Sequence, residues 1–308
     1  MNKLVVSPSP HDENYTKTSD IMRDVLIALT PALVAATYIF GLRALLLTVV
    51  CIAGCVGTEY LCRRLMKRSN TISDLSAAVT GMILAFNLPV TLPLPTALLG
   101  SFIAIAVVKQ LFGGLGQNFA NPAITARIVL MVSFPAQMTR WALPFYYNEP
   151  FDVMTGPTPL VTKSATYLNL LLGKTTGCLG ETCAAALMLG GLYLIIRRVI
   201  SPAAPLSFIG VLALLSAING DDPLYQILAG GVMLGAFFMA TDYATTPVTT
   251  KGKLIFGAGC GIVTFIIRNF GSYPEGVSFS ILLMNILTPY IEQLTRTKVF
   301  GAKEAADE

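Results

Sequence analysis

Histidine is almost missing: the 308 residues include one, His11, in a polar stretch. Bis-histidine haem ligation within this chain is therefore excluded. Charge is scarce too. Asp, Glu, Lys and Arg make up 12% of the chain, about half the roughly 25% of an ordinary soluble domain. The six cysteines contain no CxxC pair, so a cubane cluster held by this chain alone is not expected. Cys51 and Cys55 share a helix face and read as packing residues. Cys178 and Cys183 are five apart, and a metal role is not expected of them. Gly173-Lys174-Thr175 lacks the preceding glycine and spacing of a phosphate loop, which removes support for ATP hydrolysis. No apolar core of signal-peptide length occurs in the first 20 residues, so they read as a short cytoplasmic arm.

What remains is apolar. Hydrophobic residues make up 54%, mean hydropathy is +0.67, and charges cluster between long apolar runs. That pattern predicts an all-α integral membrane protein. Helices are expected near 23–41, 43–62, 73–88, 94–111, 121–136, 182–196, 202–218, 224–240, 252–268 and 276–294. Several runs, notably 73–88, 121–136 and 182–196, fall short of the roughly 17–25 residues of a full span. Such short segments suggest broken helices lining a protein-enclosed cavity. With the N-terminus inside, 15 of the 21 cations lie in inside segments and five outside (Arg43, Arg140, Lys163, Lys174 and Arg268), while Arg127 stays within a span. Ten crossings with both termini cytoplasmic satisfy the positive-inside rule, and the net charge of +4 needs no nucleic-acid partner. The expected organisation is an arm over 1–20, a polytopic domain over 21–296 in membrane lipid, and a cytoplasmic tail over 297–308.

This orientation leaves one long outside connection, 137–181. Long loops in compact domains usually carry function. It contains Asp152-Val153-Met154-Thr155-Gly156-Pro157-Thr158-Pro159. A hydroxyl between two prolines is held extended, and this predicts an exposed Thr158. An ordinary Thr/Pro/Gly turn would look the same. The pattern Asp-x-x-[Ser/Thr]-Gly-x-Thr resembles the flavinylation motif of the NqrB/RnfD and NqrC/RnfG families. Pro157 stands where alanine is more common there. The resemblance implies covalent FMN, joined by a flavin transferase through its phosphate to Thr158, with Asp152, Thr155 and Gly156 as recognition residues.

Further segments are similar to the NqrB/RnfD family and follow its order. They are Leu111 to Ala123, Gly177 to Thr182 running into Leu187 to Gly191, Phe237 to Pro247, and Asn269 to Val277. The chain lacks the long N-terminal extension typical of NqrB, which favours the RnfD branch. The family resemblance implies two five-helix halves with a urea-transporter-like architecture. A weak internal repeat, Asn118-Phe119-Ala120-Asn121-Pro122 against Asp242-Tyr243-Ala244-Thr245-Thr246-Pro247, agrees with that.

Three glycines within four residues should break the fourth helix at its inner end, and Asn121 before Pro122 is a natural helix cap. Amides also suit a flavin edge. The family resemblance implies a noncovalent riboflavin, or another second flavin, near Asn118 and Asn121; a capped turn alone is the plainer alternative. Arg127, in a span, needs a partner such as a flavin phosphate or another subunit's carboxylate. Asp74, Glu181 and Asp242 sit near span ends as interfacial caps or members of an ion path.

Together, the resemblance implies a membrane component of an Rnf-type complex, not catalytic alone, with the A, B, C, E and G subunits as partners. It would carry electrons across a bacterial or archaeal inner membrane between ferredoxin-side and NAD-side subunits, coupled to Na⁺ or H⁺. The alternatives are a component of a sodium-pumping quinone reductase and a cofactor-free solute transporter or channel.

Overall fold

The computed structural model describes residues 17–148, 155–181, 183–271 and 275–296. Described regular structure is helical, with one isolated antiparallel bridge between Ala142 and Thr155. In chain order the main helices are α1 Thr18–Phe40, α2 Leu42–Leu65, α3 Ser76–Phe86, α4 Leu94–Phe102, α5 Pro122–Ser133, α6 Ala184–Ile196 and α7 Ala203–Asn219, then α8 Pro223–Leu228, α9 Val232–Leu234, α10 Thr250–Phe270 and α11 Val277–Thr295. α4 continues as π-helix over Ile103–Gln110, and α9 does so over Gly235–Met239.

Each expected span meets a helix. Four helices, α1, α2, α10 and α11, are long and apolar enough to cross a membrane, and five apolar segments are shorter. With 11 residues, α3 is about 16 Å long at 1.5 Å per residue, roughly half a hydrocarbon core. A helix ending at that depth must meet protein partners. Asn87 closes α3, and its amide donates to the carbonyl of Ile83 (2.8 Å). The expected 224–240 helix is interrupted at Ala229–Gly231, where Gly230 has φ +71. Arg268 satisfies the interruption, donating to the carbonyls of Gln226 (2.5 Å) and Ala229 (3.0 Å). Many large apolar side chains face outward, among them Val34, Val132, Leu189, Leu206 and Ile218. In water such a surface would aggregate; in lipid it is the expected outer face, and the chain is a multi-pass membrane protein.

The connections sort into two ends. At one end, Arg43 donates to the carbonyls of Val90 (3.0 Å) and Leu92 (3.3 Å). There too the Thr91 hydroxyl donates to Arg140 O (2.7 Å) and the Leu179 amide to Leu88 O (3.2 Å). At the other end, Arg197 pairs with Asp24 (3.2 Å) and Thr249 bonds Thr295 (2.8 Å). The first group is the end that the cation count predicts to face outward.

Small residues let helices touch. Gly257 and Gly261, four apart on α10, face α7. A Cβ on Gly257 would collide with Ser207 and the Ala204 carbonyl, and one on Gly261 would lie 2.9 Å from Phe208 O. This is the small-xxx-small contact of membrane helix pairs. Gly257→Val should lower stability by roughly 1–3 kcal/mol, read as a lower midpoint of thermal unfolding in detergent; an unchanged midpoint would disprove the contact.

Candidate functional site

Cavities lie at both ends of the helical core. The outer one, about 430 Å³, is lined by Thr139, Arg140, Trp141, Thr155, Thr158 and Glu275 among others. The bridge between Ala142 and Thr155 builds its wall, and the Gly156 amide donates to Trp141 O (3.1 Å). This brings Trp141 beside Thr158, which begins a short helical turn over Pro159–Thr162 with an extended backbone (φ −68, ψ 154). The extended conformation is as expected. The exposure is not: Thr158 is 3% exposed, and its hydroxyl oxygen is buried without a hydrogen-bond partner. The flanking prolines account for the extended backbone, while both Thr158 and Pro159 are buried in the fold. Thr155 is exposed and Gly156 half-buried. Asp152 lies outside the described residues.

Arg127 is 3% exposed, and its partners belong to this chain. Its Nη1 donates to Asn87 Oδ1 (2.7 Å) and Ser278 Oγ (3.1 Å). Its Nη2 reaches Cys178 Sγ (3.4 Å) and Glu181 Oε1 (3.5 Å) and pairs with Glu275. The partner that a buried guanidinium requires is thus supplied from within the chain. Glu181 is corrected: at 8% exposure it is a buried counter-ion rather than an interfacial cap. Glu275 stands in the loop before α11. Burial pushes its carboxyl upward in pKa, against the opposing pull of Arg127. The ligand atoms of Cys178, Glu181 and Glu275 lie within 4.8 Å of one another. Arg127 already places a cation among them, so a metal ion would meet like charge.

The inner cavities measure about 570 and 90 Å³, and Asn118, Asp242 and Tyr243 line both. Gly113, Gly114 and Gly116 all take positive φ just after the π-helical stretch, so the glycine-rich segment breaks the helix as expected. Asn121 caps α5, accepting from the amides of Ala123 (3.1 Å) and Ile124 (3.4 Å). Its Nδ2 donates to Met239 O (3.5 Å), and Asn118 Nδ2 donates to Ala120 O (3.1 Å). The two segments of the weak repeat meet at these cavities, each following a π-helical stretch, a feature enriched at functional sites.

Buried polar contacts link the two ends. Glu275 touches the outer cavity and Arg127; Arg127 holds Asn87; Asn87 Nδ2 donates to Met239 Sδ (3.3 Å); and Met239 O accepts from Asn121. A second buried pair joins Lys109 to Glu59 (3.0 Å), with Ser76 and Gln110 completing their bonds. Lys109, counted with the inside cations, is therefore buried, at 2% exposure. Glu59, Asn87 and Glu275 escaped the sequence analysis. The missed signal was charge balance: each cation in an apolar helix demands an anion elsewhere in the chain.

The model of the NQR2, RnfD, RnfE family matches residues 5–301. The D subunit of the Na⁺-translocating ferredoxin:NAD⁺ oxidoreductase complex of Acetobacterium woodii is 47% identical, over 99% of this chain and 98% of its own. The D subunit of the proton-translocating ferredoxin:NAD⁺ oxidoreductase complex of Clostridium ljungdahlii is 41% identical, over 98% and 97%. The D subunit of an ion-translocating oxidoreductase complex of Halorhodospira halophila is 35% identical, over 98% and 96%. On this match, which runs through the cavities at both ends and the Arg127 cluster, the chain belongs to the NQR2, RnfD, RnfE family.

Proposed function

We propose that this chain is the D subunit of an Rnf-type ferredoxin:NAD⁺ oxidoreductase complex, carrying covalent FMN on Thr158 and passing electrons across an inner membrane. One observation carries the cofactor assignment: a buried hydroxyl with no partner, on a residue that lines the cavity of about 430 Å³. An unpaired buried hydroxyl costs about 1–3 kcal/mol. A phosphoester oxygen has no proton to donate, so esterification removes that cost. The exposed Arg140 lines the same cavity and supplies a cation for the phosphodiester charge. Thr155 and Gly156, with Asp152, serve as the recognition sequence for a flavin transferase. Because the hydroxyl is buried in the folded chain, attachment precedes docking of the 155–162 segment. The oxygen of Thr158 forms the new bond to the flavin-side phosphorus of a flavin dinucleotide, the pyrophosphate P–O bond breaks, and the nucleoside monophosphate leaves with the threonine proton.

Bound flavin supplies one- and two-electron redox chemistry. The chain's residues position it and exclude water. Asn118, beside Asp242 and Tyr243, offers a second flavin or riboflavin site at the inner cavity, where Asn121 shapes the backbone by capping α5. Electrons enter from the G subunit on the outside and leave toward the C subunit on the cytoplasmic side; the A, B and E subunits complete the complex. Ten crossings in two urea-transporter-like halves fit the two sorted ends and the paired π-helical stretches. The electron transfer drives translocation of Na⁺ or H⁺, the ions for which the relatives are named.

The test is flavin fluorescence of the denatured chain, purified from its native host, on a gel under ultraviolet light. A glowing band, with the flavin mapped by mass spectrometry to the peptide containing Thr158, is expected. A dark band and a bare peptide would favour the cofactor-free transporter instead.

A further inference from the structure

The chain contains a single tryptophan, and it stands at the cavity of Thr158. Trp141 is 7% exposed and lines that space together with Thr158 and Arg140. Its place is built rather than incidental. The bridge between Ala142 and Thr155, with the Gly156 amide on Trp141 O (3.1 Å), ties the two strands of chain together. The geometry points to Trp141 as the aromatic wall of the outer cofactor site, packing its indole against the isoalloxazine of the flavin on Thr158. The inference rests on the covalent-flavin assignment and adds the residue that would hold the ring.

The chemistry is favourable. Indole offers the largest aromatic face among side chains, and offset ring pairs add about 0.5–1.5 kcal/mol beyond burial. Indole is also electron-rich and isoalloxazine electron-poor, so contact between them quenches flavin emission by rapid electron transfer from the excited pair. Ring contact orients the flavin in the cavity and keeps water from its face. Trp141 is thus a positioning residue as well as a wall, and the lone tryptophan provides its own optical probe.

The experiment uses the full chain, purified in detergent after expression with its flavin transferase. In the native wild-type chain, flavin emission should be weak and rise severalfold on denaturation. In Trp141→Phe, at equal flavin content per chain, native emission and lifetime should rise severalfold toward the denatured value. As a second arm, tryptophan emission is compared between wild type and Thr158→Val, which cannot carry this flavin; it should be severalfold stronger in the variant. This arm stands even where Trp141→Phe folds poorly. Flavin emission and lifetime unchanged in Trp141→Phe, or equal tryptophan emission in wild type and Thr158→Val, would overturn the contact. A wild-type band that is dark after denaturation would instead overturn the covalent flavin itself, so the two failures are distinguishable.

Discussion

Arg127→Met should destabilise the folded chain by about 3–5 kcal/mol, the usual result of removing one partner from a buried ion pair. Glu181 and Glu275 would then lose the cation bonded to them, with Arg268 left to act only through space, and Asn87 and Ser278 would lose their donor. The cost has a predictable pH dependence. Burial already raises the Glu275 carboxyl, and loss of Arg127 raises it further. A carboxyl raised in the folded state favours the protonated form there. The folded chain then binds more protons than the unfolded chain between the unfolded value of about 4.3 and the raised value in the folded chain, and stability falls as pH rises through that window. The groups facing Glu275 are Arg127, Glu181, Arg268 and Cys178. The deficit of Arg127→Met should thus shrink in acid, and adding Glu181→Gln and Glu275→Gln should recover much of it at neutral pH. The measurement is the unfolding midpoint in detergent across pH. A variant as stable as wild type at neutral pH would rule out the cluster as the anchor joining α5 to α11 and to the loops before α6 and α11.

Thr158→Val should abolish covalent flavin on this chain entirely, while Thr158→Ser should retain it, since only the hydroxyl accepts the phosphate. The structure provides a control on folding. Valine matches threonine in shape and removes a buried hydroxyl that has no partner, so the unmodified valine chain should be as stable as unmodified wild type, or more stable by about 1 kcal/mol. Loss of the fluorescent band with an unchanged unfolding midpoint therefore assigns the effect to chemistry rather than collapse. A Thr158→Val chain that still glows after denaturation would move the attachment to another residue.

Much of the architecture was legible as hydropathy because lipid imposes a strict rule: backbone groups at depth pair within helices, and outward side chains are apolar. Segment positions follow directly, as at α2 and α10. The Asn121 cap and the glycine break after Gln110 were readable for local reasons, since proline, asparagine and glycine act through their own backbone geometry. The burial of Thr158 was not readable. Its flanking prolines determine extension, but which way the hydroxyl points depends on packing against distant segments.

By itself, then, the sequence determined that this chain is a multi-pass helical membrane protein of the NQR2, RnfD, RnfE family, with a threonine motif in the 137–181 connection. Those properties reside in local composition and spacing. Only the tertiary structure decided that Arg127 finds Glu181 and Glu275, 54 and 148 residues further along, that Lys109 is neutralised by Glu59, and that Trp141 stands beside Thr158. The reason is physical. A charge in an apolar helix must be compensated wherever the fold can bring an opposite charge, and hydropathy records the need for a partner without its address.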